Sequence, residues 1–265
     1  MDRQLLFLCF LTFVIHLIGT LAYSVRIAGV RTRRIAVSIA LFSILVLVSR
    51  TSNSFLGPFL AKRVESSLQS GPSLLADFRW LLISASIATV IGALLIPTFQ
   101  RAFCRAVLHF QVHRSVPKLI LHGFFKGGIS YIREAVSTPA KANLSSLYKG
   151  HEVSIPITLL NIGATALWTV GVFASLYAGV LDPTVRVTSS TLSSIINGGA
   201  TVMMAIFIDP HMSGMTDDVV EGKVSEVQFR KSVVWLVGSR LAGTLLAQAL
   251  FIPSAILIVF VARAI

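Results

Sequence analysis

The stretch Leu5-Leu6-Phe7-Leu8-Cys9-Phe10-Leu11-Thr12-Phe13-Val14-Ile15-His16-Leu17-Ile18-Gly19-Thr20-Leu21-Ala22-Tyr23-Ser24-Val25 is apolar almost throughout, and its one basic group is His16. It is long enough to cross a bilayer as one helix, since a hydrocarbon core about 30 Å thick takes about 20 residues. Five more apolar stretches follow, at about 35–56, 80–100, 156–180, 185–208 and 233–262. The chain is 54% hydrophobic and only 13% charged, with a mean hydropathy of +0.80. A soluble domain of that composition could not cover its apolar surface with polar groups. The sequence therefore predicts an all-α integral membrane protein, one polytopic domain over 1–265 with six transmembrane helices and a long loop at 101–155.

The first stretch is too long for the apolar core of a signal peptide. Its basic cluster (Arg26, Arg31, Arg33, Arg34) follows it instead of preceding it, so it is expected to remain as a helix with its N-terminus outside. Six crossings then leave both termini outside and loops 1, 3 and 5 in the cytoplasm. Those three loops hold 15 of the 23 Lys and Arg, the outside segments hold six, and two lie within spans. That distribution is the positive-inside bias, and it accounts for the net charge of +12 without a nucleic-acid partner. Cys9 and Cys104 fall near opposite membrane faces, too far apart for a disulfide. No metal-ligand spacing is present, and no cofactor is expected.

The loops differ in character. Loop 2 (57–79) carries turn signals at Gly57-Pro58 and Ser70-Gly71-Pro72. In loop 3, Arg101, Arg105, His109 and His113 recur every four residues, which extends the third helix past the span. Beyond Pro117, Leu121, Phe125, Ile129, Ile132 and Val136 share one helical face, and Lys118, His122, Lys126 and Arg133 share the other. That pattern fits an amphipathic helix in the headgroup layer, or a linker helix buried in the bundle. In loop 5, Thr216 is placed to cap a helix beginning at Asp217 and Asp218. Asp209, Asp217 and Asp218 then belong either to a solvated hairpin or to a gate or coupling element near the cytoplasmic mouth.

Two weak echoes recur about 150 residues apart: Ala28-Gly29-Val30 with Ala178-Gly179-Val180, and Ala93 to Thr98 with Ala249 to Ser254. Three spans per half would make such halves inverted repeats, with Pro97 and Pro253 as matched kinks.

None of the six spans contains an acid, and the basic groups at depth are His16, Arg50 and Arg240. Ionisable groups there are costly and mark a cavity, a partner or a substrate path. Cations without counter-charges suit a ligand that brings its own negative charge. Arg50 sits in the polar run Ser49-Arg50-Thr51-Ser52-Asn53-Ser54, which reads as a cavity lining with Asn53, or as an arginine snorkelling to the interface. His16 is either a hydrogen-bonded core residue or a functional one, and Arg26 is either a contact or an interfacial anchor. Asn161 and Asn197 are the better lining candidates among small polar residues that otherwise mark close helix packing. Arg240, Thr244 and Gln248, spaced by four, share one face. No HExxH, GxSxG or nucleotide-binding loop occurs, and no intramembrane carboxylate is available as base or nucleophile. The chain is not expected to be an enzyme.

The run Thr12 to Arg31, the segment Val48-Ser49-Arg50-Thr51-Ser52-Asn53, and Ile208-Asp209-Pro210 through Thr216-Asp217-Asp218 to Glu221-Gly222-Lys223 resemble the Amj family. Amj proteins are bacterial lipid II flippases, alternates to the MurJ flippase and unrelated to it in sequence. The resemblance covers essentially the whole chain and implies lipid II and membrane lipids as partners in the plasma membrane. The anionic pyrophosphate of lipid II would meet arginine forks through charge-assisted hydrogen bonds. Its sugars and peptide would meet Ser, Thr and Asn, and its polyprenyl tail would stay in lipid. A flippase for another undecaprenyl-linked lipid, or a non-transporting scaffold of envelope assembly, remains the alternative.

Overall fold

The acid-free apolar spans all become helix. The computed structural model describes residues 2–70, 74–113, 134–137 and 153–265, side chains at 68–70 and 111–113 excepted. Six helical segments among the described residues are long and apolar enough to cross a membrane. They are α1 (Arg3–Thr32), α2 (Ile35–Ser70), α3 (Leu75–His113), α4 (Ile155–Leu181), a composite fifth segment, and α7 (Glu226–Ala264). The composite segment enters by a 3-10 turn (Pro183–Val185), runs as α5 (Arg186–Met203), widens into a π turn (Met204–Ile208) and continues as α6 (Asp209–Val220). The amphipathic helix expected after Pro117 lies outside the described residues.

Local chemistry sets the ends. Asp2 caps α1, its carboxylate accepting from Leu5 N–H at 2.8 Å. Arg33, at φ 52°, turns the chain out of α1, and its N–H and that of Arg34 close on the carbonyls of Val30 and Gly29. Ser225 and Gln228 form a reciprocal capping box at the start of α7. Pro210 explains the π turn. It has no N–H to give, and its ring would press on the carbonyl four residues back, so the helix widens before it.

Two expectations about loops are corrected. Gly57-Pro58 is not a turn; α2 runs through it to Ser70. Neighbouring groups in a membrane protein can re-satisfy the backbone that a proline frees, and the extension carries Arg63 to two carboxylates. Nor does Thr216 cap a helix. It is buried inside α6, which begins at Asp209, and its hydroxyl donates to the Met212 carbonyl at 2.6 Å. By contrast, α3 does continue through Arg101, Arg105 and His109 to His113.

The helices pack in two similar groups. In the first, α1 lies against both α2 and α3, while α2 and α3 barely touch; in the second, α4 stands likewise between α5 and α7. Two glycines permit this closeness. A Cβ on Gly29 would lie 3.1 Å from Ile35 Cα at the start of α2, and one on Gly179 would lie 3.2 Å from Arg186 Cα at the start of α5. The seam between the groups is mainly α3 on α7. Near the N-terminus of α1 it is aromatic: Phe78 stacks on Phe251 at 5.5 Å between centroids and meets Tyr177 edge-on at 5.4 Å. At the opposite, loop-1 end, Tyr23, Met212, Phe229 and Leu236 form a second apolar cluster. Between the two clusters lies a buried polar layer that includes His16, Thr20, Asn161, Thr165, Ser239 and Arg240.

Ion pairs differ between the two ends. At the N-terminal end they stay within a group: Arg63 holds Asp2 and Asp77, each at 2.8 Å, and Arg263 holds Asp182 at 2.6 Å. At the loop-1 end they join the groups: Arg26 to Asp209 at 3.1 Å and Arg31 to Glu226 at 2.8 Å. The Thr184 hydroxyl, and then the Arg263 guanidinium, hold the Asp182 carboxyl below its ordinary range. A depressed carboxylate stabilises the fold fully above its unfolded pKa and loses that contribution as pH falls through the folded value. Asp182→Asn should therefore lower the melting temperature at pH 7, and the gap to the parent should close as the detergent-solubilised protein is titrated toward pH 3, followed by tryptophan fluorescence.

Candidate functional site

A cavity of about 330 Å³ opens in the polar layer, between α1, α2, α4, α7 and the π turn leading into α6. Its side chains are unevenly distributed. Arg240 from α7, Tyr23 from α1 and Asn161 from α4 give it a polar wall, and Ile39, Phe42 and Val46 from α2 face it with hydrocarbon. The rim at the loop-1 end is Arg26 and Asp209, and the Asp209 side chain is 63% exposed.

Arg240 is seated by a glycine. It is buried, and a Cβ built on Gly19 of α1 would overlap its guanidinium. Its Nε has no hydrogen-bond partner. The buried carboxylate among the described residues is Asp182, which is engaged by Thr184 and Arg263 at the N-terminal end. A buried cation without a counter-charge is costly, and an anion entering the cavity would offset that cost.

A second, much smaller cavity of about 20 Å³ lies further along α1 and α4 toward the N-terminal end. His16, Asn53, Thr169 and Asn197 line it. His16 Nδ1 and Asn197 Oδ1 are buried without hydrogen-bond partners. The two cavities share two lining residues, Ile15 and Trp168. Together they are two polar cavities separated by the side chains of Ile15 and Trp168.

The sequence-derived candidates separate accordingly. Arg240, Asn161, Arg26 and Asp209 gather at the larger cavity, and His16, Asn53 and Asn197 at the smaller. Asn161 also works in packing, since its amide donates to the Leu236 carbonyl at 3.0 Å and to Ser239 Oγ at 2.7 Å on α7. Arg50 does not share Arg240's burial: it is exposed on α2 and lines neither cavity. α2 is the outlying helix of its group, so most of its circumference is uncovered. Gln248 also lines neither cavity, and its carbonyl accepts from Arg79, whose guanidinium sits 5.7 Å from the Phe251 ring centroid. Asp217 and Asp218 lie toward the end of α6, away from the rim, and their backbone carbonyls close the turn after it. Sequence reasoning missed Trp168 and Gly19. Trp168 had a signal: tryptophan favours the membrane interfaces, and this one stands at the middle of α4.

The fold and the cavity define a multi-pass membrane protein with a buried cation that has no carboxylate partner among the described residues, in a cavity rimmed by Arg26 and Asp209. The family model described as "Alternate to MurJ" (Amj) matches residues 11–262, and the chain belongs to the Amj family. It is similar to "Lipid II flippase Amj" of Bacillus subtilis (strain 168), at 37% identity over 269 residues, covering 98% of this chain and 97% of that protein. No solved structure matches.

The seat at Gly19 can be measured. Gly19→Ala should destabilise the protein through overlap with the guanidinium, while Gly19→Ala combined with Arg240→Met should lose less than the two single variants together. The expected coupling is on the order of 1–3 kcal/mol in a double-mutant cycle of thermal melts.

Proposed function

We propose that this chain is a lipid II flippase, a transporter and not an enzyme, which carries the undecaprenyl-pyrophosphate precursor from the cytoplasmic to the outer leaflet of the bacterial plasma membrane. The observation that carries this reading is Arg240, buried at the deep end of a cavity whose mouth is rimmed by Arg26 and Asp209. A pyrophosphate would supply the missing negative charge, and a guanidinium fork suits its oxygens. On arrival it would compete with Asp209 for Arg26, so loading would loosen a contact that ties α1 to α6. His16, Asn53 and Asn197 are the next station, reached when Trp168 and Ile15 part. Arg50 and Gln248 are surplus to this path. A non-transporting scaffold would have little use for a cavity in its polar layer, since packing would fill it.

The two similar helix groups support inverted three-helix repeats as the basis of transport. Each group has its first helix in the middle. Gly29 and Gly179 each let the second helix of their group start close by. Ala93 and Ile96, just before Pro97, pack in the loop-1 cluster, whereas Phe251 and Ile252, just before Pro253, pack in the N-terminal cluster. Mirrored depth is what inversion requires. In this orientation the loop-1 end faces the cytoplasm and both termini face outward.

The central test is a leaflet-accessibility assay for lipid II in cells depleted of other flippases. The parent should expose lipid II on the outer leaflet. Arg240→Ala should reduce that exposure roughly tenfold to a hundredfold, the scale of losing a hydrogen bond to a charged group, about 1.5–3 kcal/mol. Arg240→Lys should recover part of it. Full activity in Arg240→Ala at normal protein level would refute the role. Orientation has its own check: in a variant lacking Cys9 and Cys104, Ile265→Cys should react with an impermeant maleimide on intact cells. Arg33→Cys should react only after permeabilisation.

A further inference from the structure

The headgroup of such a lipid is tied to a hydrocarbon chain, and a polar chamber sealed from the bilayer could not accommodate both. The larger cavity is not sealed equally on all sides. Half of an 18-residue apolar stretch of α1, and half of one in α4, is buried, against 17% for α2 and 11% for the segment Pro183–Val220. These two outlying helices flank the cavity, and they are not a packed pair, since each leans on the middle helix of its own group. What they show the cavity is mostly apolar: Ile39, Phe42 and Val46 from α2, with Ser49 as its polar member, and Met204 and Ile208 from the π turn, with Asp209 at the rim. Opposite them stands Arg240, with Tyr23 and Asn161 beside it. The π turn lies where the wall would have to yield, and its widened hydrogen-bond ladder is the irregular stretch of an otherwise α-helical wall.

We infer that the slot between Phe42 on α2 and Met204 on the π turn holds the isoprenoid chain of an anionic lipid while its phosphate group sits at Arg240. This rests on the flippase reading and adds the route by which the chain leaves the protein. Charge selects the occupant. A neutral hydrocarbon would leave Arg240 unpaired, and a water-soluble phosphate would leave the apolar wall facing water. A single-chain anionic lipid matches both walls at once. The slot lets the chain remain in the bilayer as the head moves past Trp168, with no need to drag hydrocarbon through the polar layer.

The test is photo-cross-linking in phosphatidylcholine vesicles doped with radiolabelled undecaprenyl pyrophosphate. Benzophenone-phenylalanine replaces Phe42 in one variant and Leu47 in another. Leu47 is 61% exposed and lies five residues on, about 140° around the helix. The Phe42 variant should capture the label severalfold more than the Leu47 variant. Adding Arg240→Ala should lower the Phe42 yield severalfold and leave the Leu47 yield unchanged. Equal yields at the two positions would overturn the slot. A high Phe42 yield indifferent to Arg240→Ala would keep the slot but refute Arg240 as the headgroup site, and with it the flippase reading given above. Excess phosphatidylglycerol should compete poorly; if it competes mole for mole, the slot is a general anionic-lipid site and the single-chain assignment fails. If the Phe42 variant does not fold, the same comparison runs with the photo-reactive residue at Met204 against Ile206, which is 59% exposed.

Discussion

A guanidinium held in the middle of an apolar bundle, with no carboxylate beside it among the described residues, is the constraint around which this molecule is arranged. Arg240 needs room, and Gly19 supplies it by having no side chain where α1 passes α7. Arg240 also needs polar company, and Tyr23 and Asn161 share its wall. The hydroxyls nearby ask nothing of their neighbours. Thr20 returns its proton to the His16 carbonyl at 2.9 Å, and Thr169 to the Thr165 carbonyl at 2.7 Å. The polar layer therefore survives between two apolar clusters with its hydroxyl donors largely spent within single helices. Its unspent capacity lies on Thr165 and on Arg240, His16 and Asn197, the last three of which border the cavities.

The four helices α1, α3, α4 and α7 hold the aromatic seam and the polar layer, and α2 and the α5–α6 segment lie outside them. This division places most of the buried contacts on four helices and leaves the other two at the margin. It also explains why the outlying helices carry so much exposed hydrocarbon: in a bilayer that surface is solvated by lipid and needs no cover.

The sequence was most legible where a single physical rule decides the outcome. The length of the apolar runs located every span, and the four-residue basic spacing carried α3 to His113. The absence of intramembrane acids pointed equally to His16, Arg50 and Arg240, of which the structure buries His16 and Arg240, and the motifs around His16, Arg50 and Asp209 pointed to the Amj family. Rules that compete were less legible. Gly57-Pro58 reads as a turn in water, but in α2 the helix passes through. Arg50 and Arg240 look alike in sequence; only the packing order of the helices sends one to the exposed side of α2 and the other onto Gly19. Trp168 and the π turn depend on long-range placement, to which periodicity is blind.

The ion pairs have a mechanical consequence. At the N-terminal end the two helix groups are joined by packed aromatic rings and by Arg79, which donates to the Gln248 carbonyl, while the ion pairs there stay within a group. At the loop-1 end the groups are joined by the apolar cluster of Tyr23, Met212, Phe229 and Leu236 and also by Arg26–Asp209 and Arg31–Glu226, whose side chains are 19% to 63% exposed. Such surface pairs are worth about 0–1 kcal/mol each and weaken further as mobile ions screen them. Raising the ionic strength on the loop-1 side therefore weakens the charged part of that junction and leaves the apolar clusters at both ends intact.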